Sequence, residues 1–258
     1  PLVGRFKKAK VSLPGGCAWG PRPVDFHIKG IEKLGAKVDL DKGYILAKTD
    51  GLKGSYLSFD IPSVGATGNL LMAAVLAEGE TVFDNAAREP EITALAEFLV
   101  KMGADIKGIG SSRLIVKGVK ELHPANIDVI PDRIEAITYI TAGLITKGDL
   151  KIENCNPHHF IEVIEKLKDV GAHLDVGNNY IHVISNGEIQ PGNVETGVYP
   201  GFPTDAQAQW TTLMCLANGS SVVTDHIYHD RFAHVPELNR LGANIQVKNN
   251  SAFITGVE

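Results

Sequence analysis

Residues 54–118 read GSYLSFDIPSVGATGNLLMAAVLAEGETVFDNAAREPEITALAEFLVKMGADIKGIGSSRLIVKG, and the periods inside that stretch decide the fold. YLSFDI alternates apolar and polar residues as a half-buried strand does, SVGATGNLLMAAVLAEG has helical spacing with a Gly stop, and ETVFDN alternates again. PEITALAEFLVKMGA reads as a helix with Pro90 in its first turn and Gly103 at its C-terminal cap, and ADIKGI and RLIVKGV as two closing strands. The unit is βαβαββ.

The same phrases recur along the chain. An amphipathic run, then Gly-Ala, then a β-like stretch appears as IEKLGAKVDL at Gly35, FLVKMGADIK at Gly103, KLKDVGAHLD at Gly171 and LNRLGANIQV at Gly242, spaced 68, 68 and 71 residues. A second phrase, apolar helix then Gly then strand, appears at Gly79, Gly148 and Gly219, spaced 69 and 71. A repeat of about 70 residues exceeds the usual 20–50 of solenoids, and each unit offers a sheet face and two helices that need a neighbour. The units must therefore pack on one another. In the later units 23 or 24 residues separate the two phrases, which puts the first unit's matching point near Val11 with only about ten residues before it. Residues 1–6 then read as the tail of a helix, and the expectation is an internal piece of a longer protein, truncated at both ends.

The chain has 258 residues, 25 Lys+Arg against 30 Asp+Glu and a net charge of −5, with 44% hydrophobic residues. That is one large domain or two modest ones with enough apolar surface for a core, which excludes wholesale disorder. The densest apolar run, residues 70–77, falls far short of the ~20 residues that cross a bilayer, so no membrane partner is expected. A mildly acidic chain carries no broad basic face for nucleic acid, and any anionic ligand must be met locally. Cys17, Cys155 and Cys215 are odd in number and lack a CxxC, suggesting neither a disulfide framework nor a zinc site and pointing to a reducing cytoplasm. No metal or cofactor is called for.

The most unusual segment is residues 14–25, PGGCAWGPRPVD, whose three glycines and three prolines replace the plain strand-to-helix link of the other units. Cys17 there is either an incidental exposed thiol or a reactive one whose thiolate share is raised by Lys8, Lys10 and Arg22. Cys155 and Cys215 sit in apolar patterns and read as small buried hydrophobes. In the fourth unit the matching excursion is YPGFPTDAQAQW, residues 199–210, where Thr204 or Asp205 can cap the following helix, or Asp205 can serve as a general base. PSVGATG, residues 62–68, puts small residues at a helix start, where free N–H groups favour phosphate. GIGSS at residues 108–112 lies between strands and is a turn. Arg88, Arg133 and Arg231 fall at link positions, each beside a carboxylate, as anion contacts or as exposed ion pairs. His226, His229 and His234 lack the spacing of a metal site.

Taken together, the βαβαββ repeat, GGCAWGPRPVDFH at residues 15–27, SVGAT at 63–67, NAAREPEI at 85–92, PDRIEA at 131–136, FPTDAQAQ at 202–209 and DRFAHVPEL at 230–238 closely resemble the UDP-N-acetylglucosamine 1-carboxyvinyltransferase family of enolpyruvyl transferases. The resemblance runs through the whole chain in order. It implies an α/β fold of two inside-out α/β domains, helices inside and sheets outside: residues 1–130 as the later part of the first domain with the Cys loop, and residues 131–258 as two units of the second with the FPTD motif. It implies a cytoplasmic transferase that moves the enolpyruvyl group of phosphoenolpyruvate to the 3-hydroxyl of UDP-N-acetylglucosamine, releasing phosphate, in the first committed step of peptidoglycan synthesis.

Residue by residue, the resemblance makes Cys17 the general acid or covalent participant at the C2–C3 end of phosphoenolpyruvate and the thiol that fosfomycin alkylates. Arg22 clamps phosphate; Pro23, Val24, Asp25 and Phe26 border the uridine; Ser63, Val64 and Gly65 receive the diphosphate side. Asp205 accepts the sugar hydroxyl's proton, and Ile227 and Arg231 complete the sugar-nucleotide pocket. No cofactor is implied. Ile61-Pro62 stands where many members carry Lys before the SVG triplet, and Trp19 replaces a smaller aliphatic residue. The family's Lys-Asn pair and further arginines lie outside this sequence, so the piece alone is expected to be inactive. The shikimate-pathway enolpyruvyl transferase shares the repeat but has no such Cys loop; a non-catalytic sugar-nucleotide-binding relative is the rival of another class.

Overall fold

The four phrases become four βαβαββ-like units in a computed structural model that describes residues 1–14 and 24–257. The first unit holds α1 (Leu2–Phe6), β1 (Lys8–Ser12), α2 (Asp25–Lys33), β2 (Lys37–Asp41) and β3 (Tyr44–Lys48). The second holds β4 (Tyr56–Ser58), α3 (Val64–Ala74), β5 (Glu80–Asp84), α4 (Pro90–Lys101), β6 (Asp105–Lys107) and β7 (Leu114–Lys117). Then come α5 (Arg133–Ile145), β8 (Asp149–Glu153), α6 (Ile161–Asp169), β9 (His173–Val176) and β10 (Tyr180–Ile184). The fourth unit is β11 (Val194–Glu195), a 3-10 turn Thr204–Ala206, α7 (Gln207–Met214), β12 (Ser220–Thr224), α8 (Val235–Arg240), β13 (Asn244–Lys248) and β14 (Ser251–Thr255).

The sheets alternate in kind. The second and fourth units build four-stranded sheets, β4-β5-β7-β6 and β11-β12-β14-β13, in which the first strand runs parallel to the next and the rest are antiparallel. The first and third build three-stranded antiparallel sheets, β1-β3-β2 and β8-β10-β9. Here the reading of one unvarying βαβαββ unit needs correction: residues 119–132, ahead of α5, contain no strand. Their sequence, VKELHPANIDVIPD, carries two prolines and no sustained alternation, so nothing holds it to a sheet edge.

The Gly-Ala phrase works as a helix stop in every unit. Gly35, Gly103, Gly171 and Gly242 all have φ between 90° and 102°, the left-handed turn that ends α2, α4, α6 and α8 and that a Cβ disfavours. At the other end Pro90 is the first residue of α4, where its missing N–H costs nothing.

The chain divides into two compact units, Pro1–Ile130 and Pro131–Glu258. In the first, Leu34, Leu70, Leu71 and Phe83 are fully buried in one core; in the second, Ile137, Ile140, Leu144, Ile181, Leu213 and Met214 form another. Each such side chain contributes roughly 1.5–3 kcal/mol of transfer free energy. The helices explain why the cores sit where they do. Seven of the eleven residues of α3 and five of the eight of α7 are buried, so these two helices are enclosed nearly all round, whereas α5 buries seven of its thirteen and leaves a stripe at Glu135, Thr138, Tyr139 and Ala142 exposed. By contrast β5 and β12 bury alternate residues and leave the others part-exposed. The core of each unit is thus built on its most enclosed helix, with the sheets outside. Among the described residues no helix is long and apolar enough to cross a membrane.

Candidate active site

In the first compact unit the starts of α2 and α3 lie side by side. Val24 precedes α2, Asp25 occupies its first turn, and Phe26 sets its ring edge-on to Phe59 with centroids 6.0 Å apart. Asn69 on α3 meets His27 Nδ1 at 3.1 Å, and a Cβ placed on Gly65 would lie 3.4 Å from His27 Nε2. Ser63 caps α3, its Oγ accepting the N–H of Ala66 at 3.3 Å, while Val64 and Gly65 are exposed. Thr67 Oγ1, one turn in, accepts the N–H of Ala87 at 3.1 Å and so ties the loop carrying Arg88 to the same helix start. The sequence-predicted residues Val24, Asp25, Phe26, Ser63, Val64 and Gly65 therefore gather around two helix N-termini, whose N–H groups and dipoles suit phosphate oxygens. Cys17, Arg22 and Pro23, and Trp19 with them, lie outside the described residues.

The other cluster is in the second compact unit. Phe202 anchors it, buried and edge-to-face with Trp210 at 5.5 Å, and Trp210 Nε1 donates to Gly192 O at 3.2 Å. The Tyr199-Pro200 bond is cis. Next in the chain, Thr204 and Asp205 form the turn leading into α7. Neither side chain caps that helix, which corrects the capping alternative: both are engaged through space instead. Asp205 Oδ1 sits 2.7 Å from Arg231 Nη2, and its carboxylate remains half-exposed. Thr204 Oγ1 accepts from Arg231 Nη1 at 3.2 Å and donates to Asp225 Oδ2 at 2.6 Å. Arg231 also lies over the Tyr228 ring, 5.6 Å from its centroid, and Ile227 stands partly exposed beside it. Asp205, Ile227 and Arg231, predicted from separate motifs, are thus brought together. The neighbour expected to pair with Arg231 was Asp230; the ion pair runs to Asp205, 26 residues away in sequence.

The arginines are not equivalent. Arg88 and Arg231 precede the second helix of their units, whereas Arg133 opens α5, the first helix of its unit, and is buried, with Asp132 capping that helix through the N–H groups of Ile134 and Glu135. Cys155 and Cys215 are buried as expected, and burial pushes both thiols up. Asp225 was not singled out by the sequence. The signal was available in the repeat, since it occupies the place held by Asn85 and Asn154.

Burial also lowers the histidines beside these clusters. His27 is held down by desolvation, partly countered by Asp25, and His234, at the start of α8, by desolvation with the positive charge of Arg231 adding to it. A histidine lowered on folding binds fewer protons folded than unfolded. Its stability contribution is therefore whole above the ordinary histidine value of about 6.5 and is lost as the pH falls through the lowered folded value. The chain is expected to lose thermal midpoint on going from pH 7.5 to 5.5, and His234→Gln to lose less over the same interval. Parallel losses in the two proteins would remove His234 from the account.

The fold has counterparts among solved structures. The enolpyruvyl transferase NikO from Streptomyces tendae superposes with a TM-score of 0.87 at 23% identity, covering 99% of this chain and 61% of that one, which defines an enolpyruvyl-transferase-like fold. A profile of the family described as EPSP synthase (3-phosphoshikimate 1-carboxyvinyltransferase) matches residues 1–258, and the chain belongs to that family. It is 54% identical over 260 aligned residues to UDP-N-acetylglucosamine 1-carboxyvinyltransferase of Chloroherpeton thalassium and 51% identical over 256 to the protein of that name from Koribacter versatilis. The alignments cover 100% and 99% of this chain but only 61% and 59% of those relatives, so the chain spans about three fifths of their length.

Proposed function

We propose that the protein containing this chain transfers the enolpyruvyl group of phosphoenolpyruvate to the 3-hydroxyl of UDP-N-acetylglucosamine, releasing phosphate, as a cytoplasmic enzyme of peptidoglycan synthesis. The observation that carries this reading is the half-exposed Asp205 carboxylate held against Arg231 in the FPTD segment, in a chain that also has Cys17 in its Pro-Gly loop and relatives of that name along its full length. Asp205 takes the proton of the sugar hydroxyl as its oxygen adds to C2 of phosphoenolpyruvate, and Cys17 supplies the proton that goes to C3. Elimination then returns a C3 proton to the Cys17 thiolate as the C2–O bond to phosphate breaks, which restores the double bond, and the hydroxyl's proton leaves Asp205 with the phosphate. Each step needs one group in a fixed direction.

Binding falls to the other residues. Val24, Asp25 and Phe26, with Pro23, border the uridine; Ser63, Val64 and Gly65 offer the N-terminus of α3 to the diphosphate; Arg22 clamps the phosphate of the second substrate; and Ile227 and Arg231 line the sugar side. The family profile takes its description from the 3-phosphoshikimate enzyme. Cys17 favours the sugar-nucleotide acceptor over that one. Fosfomycin, an epoxide that alkylates thiolates, separates these readings in the full-length protein. Peptide mass spectrometry is expected to find its adduct on Cys17, formed faster with UDP-N-acetylglucosamine present, while Cys17→Ser shows none. An unmodified Cys17 at saturating sugar nucleotide would overturn the catalytic reading and leave a binding protein.

A further inference from the structure

Asp225 is the only fully buried acidic side chain among the described residues, and its carboxylate is surrounded by hydrogen-bond donors. Oδ1 accepts from Thr196 Oγ1 at 2.8 Å and from the backbone N–H groups of Ile227 at 2.9 Å and Tyr228 at 2.8 Å. Oδ2 accepts from Thr204 Oγ1 at 2.6 Å. Burying a carboxylate is expensive unless its lone pairs are filled, and four donors fill them. What those donors belong to is informative. Two are the backbone of the turn that presents Ile227, and one is the residue next to Asp205.

The repeat shows that a carboxylate is not needed to end this strand. Asn85 follows β5 and Asn154 follows β8 at the place where Asp225 follows β12, both with φ near 55°, whereas Asp225 has no positive φ. Asn85 Nδ2 donates to Phe59 O across the sheet, and that link suffices to close the second unit. Only in the fourth unit, where Asp205 and Arg231 stand, is the corner rebuilt around a buried acid.

We infer that Asp225 is a positioning residue for Asp205 and Arg231, acting through Thr204; the inference rests on the reading of Asp205 as the base. A hydroxyl has one proton. Because Asp225 Oδ2 takes it, the lone pairs of Thr204 Oγ1 are left for Arg231 Nη1 at 3.2 Å, and the guanidinium so held turns its other nitrogen to Asp205 Oδ1 at 2.7 Å. An asparagine at 225 can still accept the three donors on Oδ1, but its amide N–H would donate to Thr204 and turn the hydroxyl proton towards Arg231. The turn survives while the relay is reversed.

The test uses the full-length protein with Asp225→Asn, Thr204→Val and Thr204→Ser. Thr204→Val, which keeps the shape without the hydroxyl, is expected to lower kcat by about 10–100-fold, the cost of an ångström-scale misplacement. KM for UDP-N-acetylglucosamine should change by less than about threefold, since ground-state binding is spread over the other contacts. Asp225→Asn is expected to follow it, and Thr204→Ser to recover most of kcat. Full kcat in Thr204→Val would overturn the inference, as would equal losses in the Val and Ser variants. If the wild type transfers no enolpyruvyl group, the reading of Asp205 as base fails by itself. The relay is then judged by crystal structures, where Arg231 should leave Asp205 in Thr204→Val; retention of the pair at its wild-type separation would sink it.

Discussion

Replacing Asp205 by Asn is expected to lower kcat for enolpyruvyl transfer by about 10²–10⁴-fold, the range of a lost general base. The substitution keeps the size of the side chain, and its Oδ1 can still accept from Arg231 Nη2, so the fold of the turn ahead of α7 has no reason to change. What it removes is the capacity to take a proton. Because the carboxylate is half-exposed and the amide oxygen keeps the contact with Arg231, stability should move by no more than the 0–1 kcal/mol typical of a solvent-accessible ion pair. A large kinetic loss with an unchanged thermal midpoint is therefore the signature. Steady-state kinetics on the full-length variant decide it: a kcat within about tenfold of wild type would mean that another group takes the hydroxyl proton.

The parts of this molecule that could be read from the sequence are those fixed by local chemistry. Gly35, Gly103, Gly171 and Gly242 announce helix ends because the left-handed turn favours glycine wherever it occurs, and a 68–71-residue recurrence of that turn carries the topology with it. Ser63 ahead of Val64 is a cap because the N–H groups it serves are three residues away. Asp205 and Thr204 look the same by that local test and behave differently. Their partners, Arg231 and Asp225, are 26 and 21 residues off and reach them only because β12 ends beside the start of α7. Likewise the nearest carboxylate in sequence to Arg231, Asp230, is not the one it pairs with. Adjacency along the chain predicts caps and turns; it does not predict which of two neighbouring acids faces a guanidinium across a strand end. Residues 119–132 differ for another reason: a repeat argued from its best-preserved copies supplies a strand to every unit, and only the prolines and broken alternation there warned against it.

Gly118→Ala is expected to cost the first compact unit about 3 kcal/mol, at the upper end of overpacking losses. Gly118 follows β7, and its N–H donates to Gly79 O at 2.9 Å, while the N–H of Val119 donates to Val75 O at 2.9 Å, so the end of the sheet is stitched to the chain leaving α3. A Cβ on Gly118 would collide with the backbone carbonyl of Ala77, an atom no rotamer change can move. Relief requires the two segments to part, which weakens both hydrogen bonds, each worth about 0.5–1.5 kcal/mol net, and opens the core beneath them. The fourth unit repeats the joint: the N–H of Gly256 donates to Gly219 O at 2.9 Å, that of Val257 to Cys215 O at 2.8 Å, and a Cβ on Gly256 would collide with Ala217 O. A requirement that recurs in two sequence-distant units comes from the joint itself, and so Gly256→Ala is expected to cost a similar amount in the second compact unit. Gly51→Ala, where an added Cβ meets nothing within 4 Å, is the control and should stay within about 0.5 kcal/mol. Chemical denaturation of the three variants measures all of this, and a Gly118→Ala midpoint indistinguishable from that of Gly51→Ala would show that the joint yields at no cost.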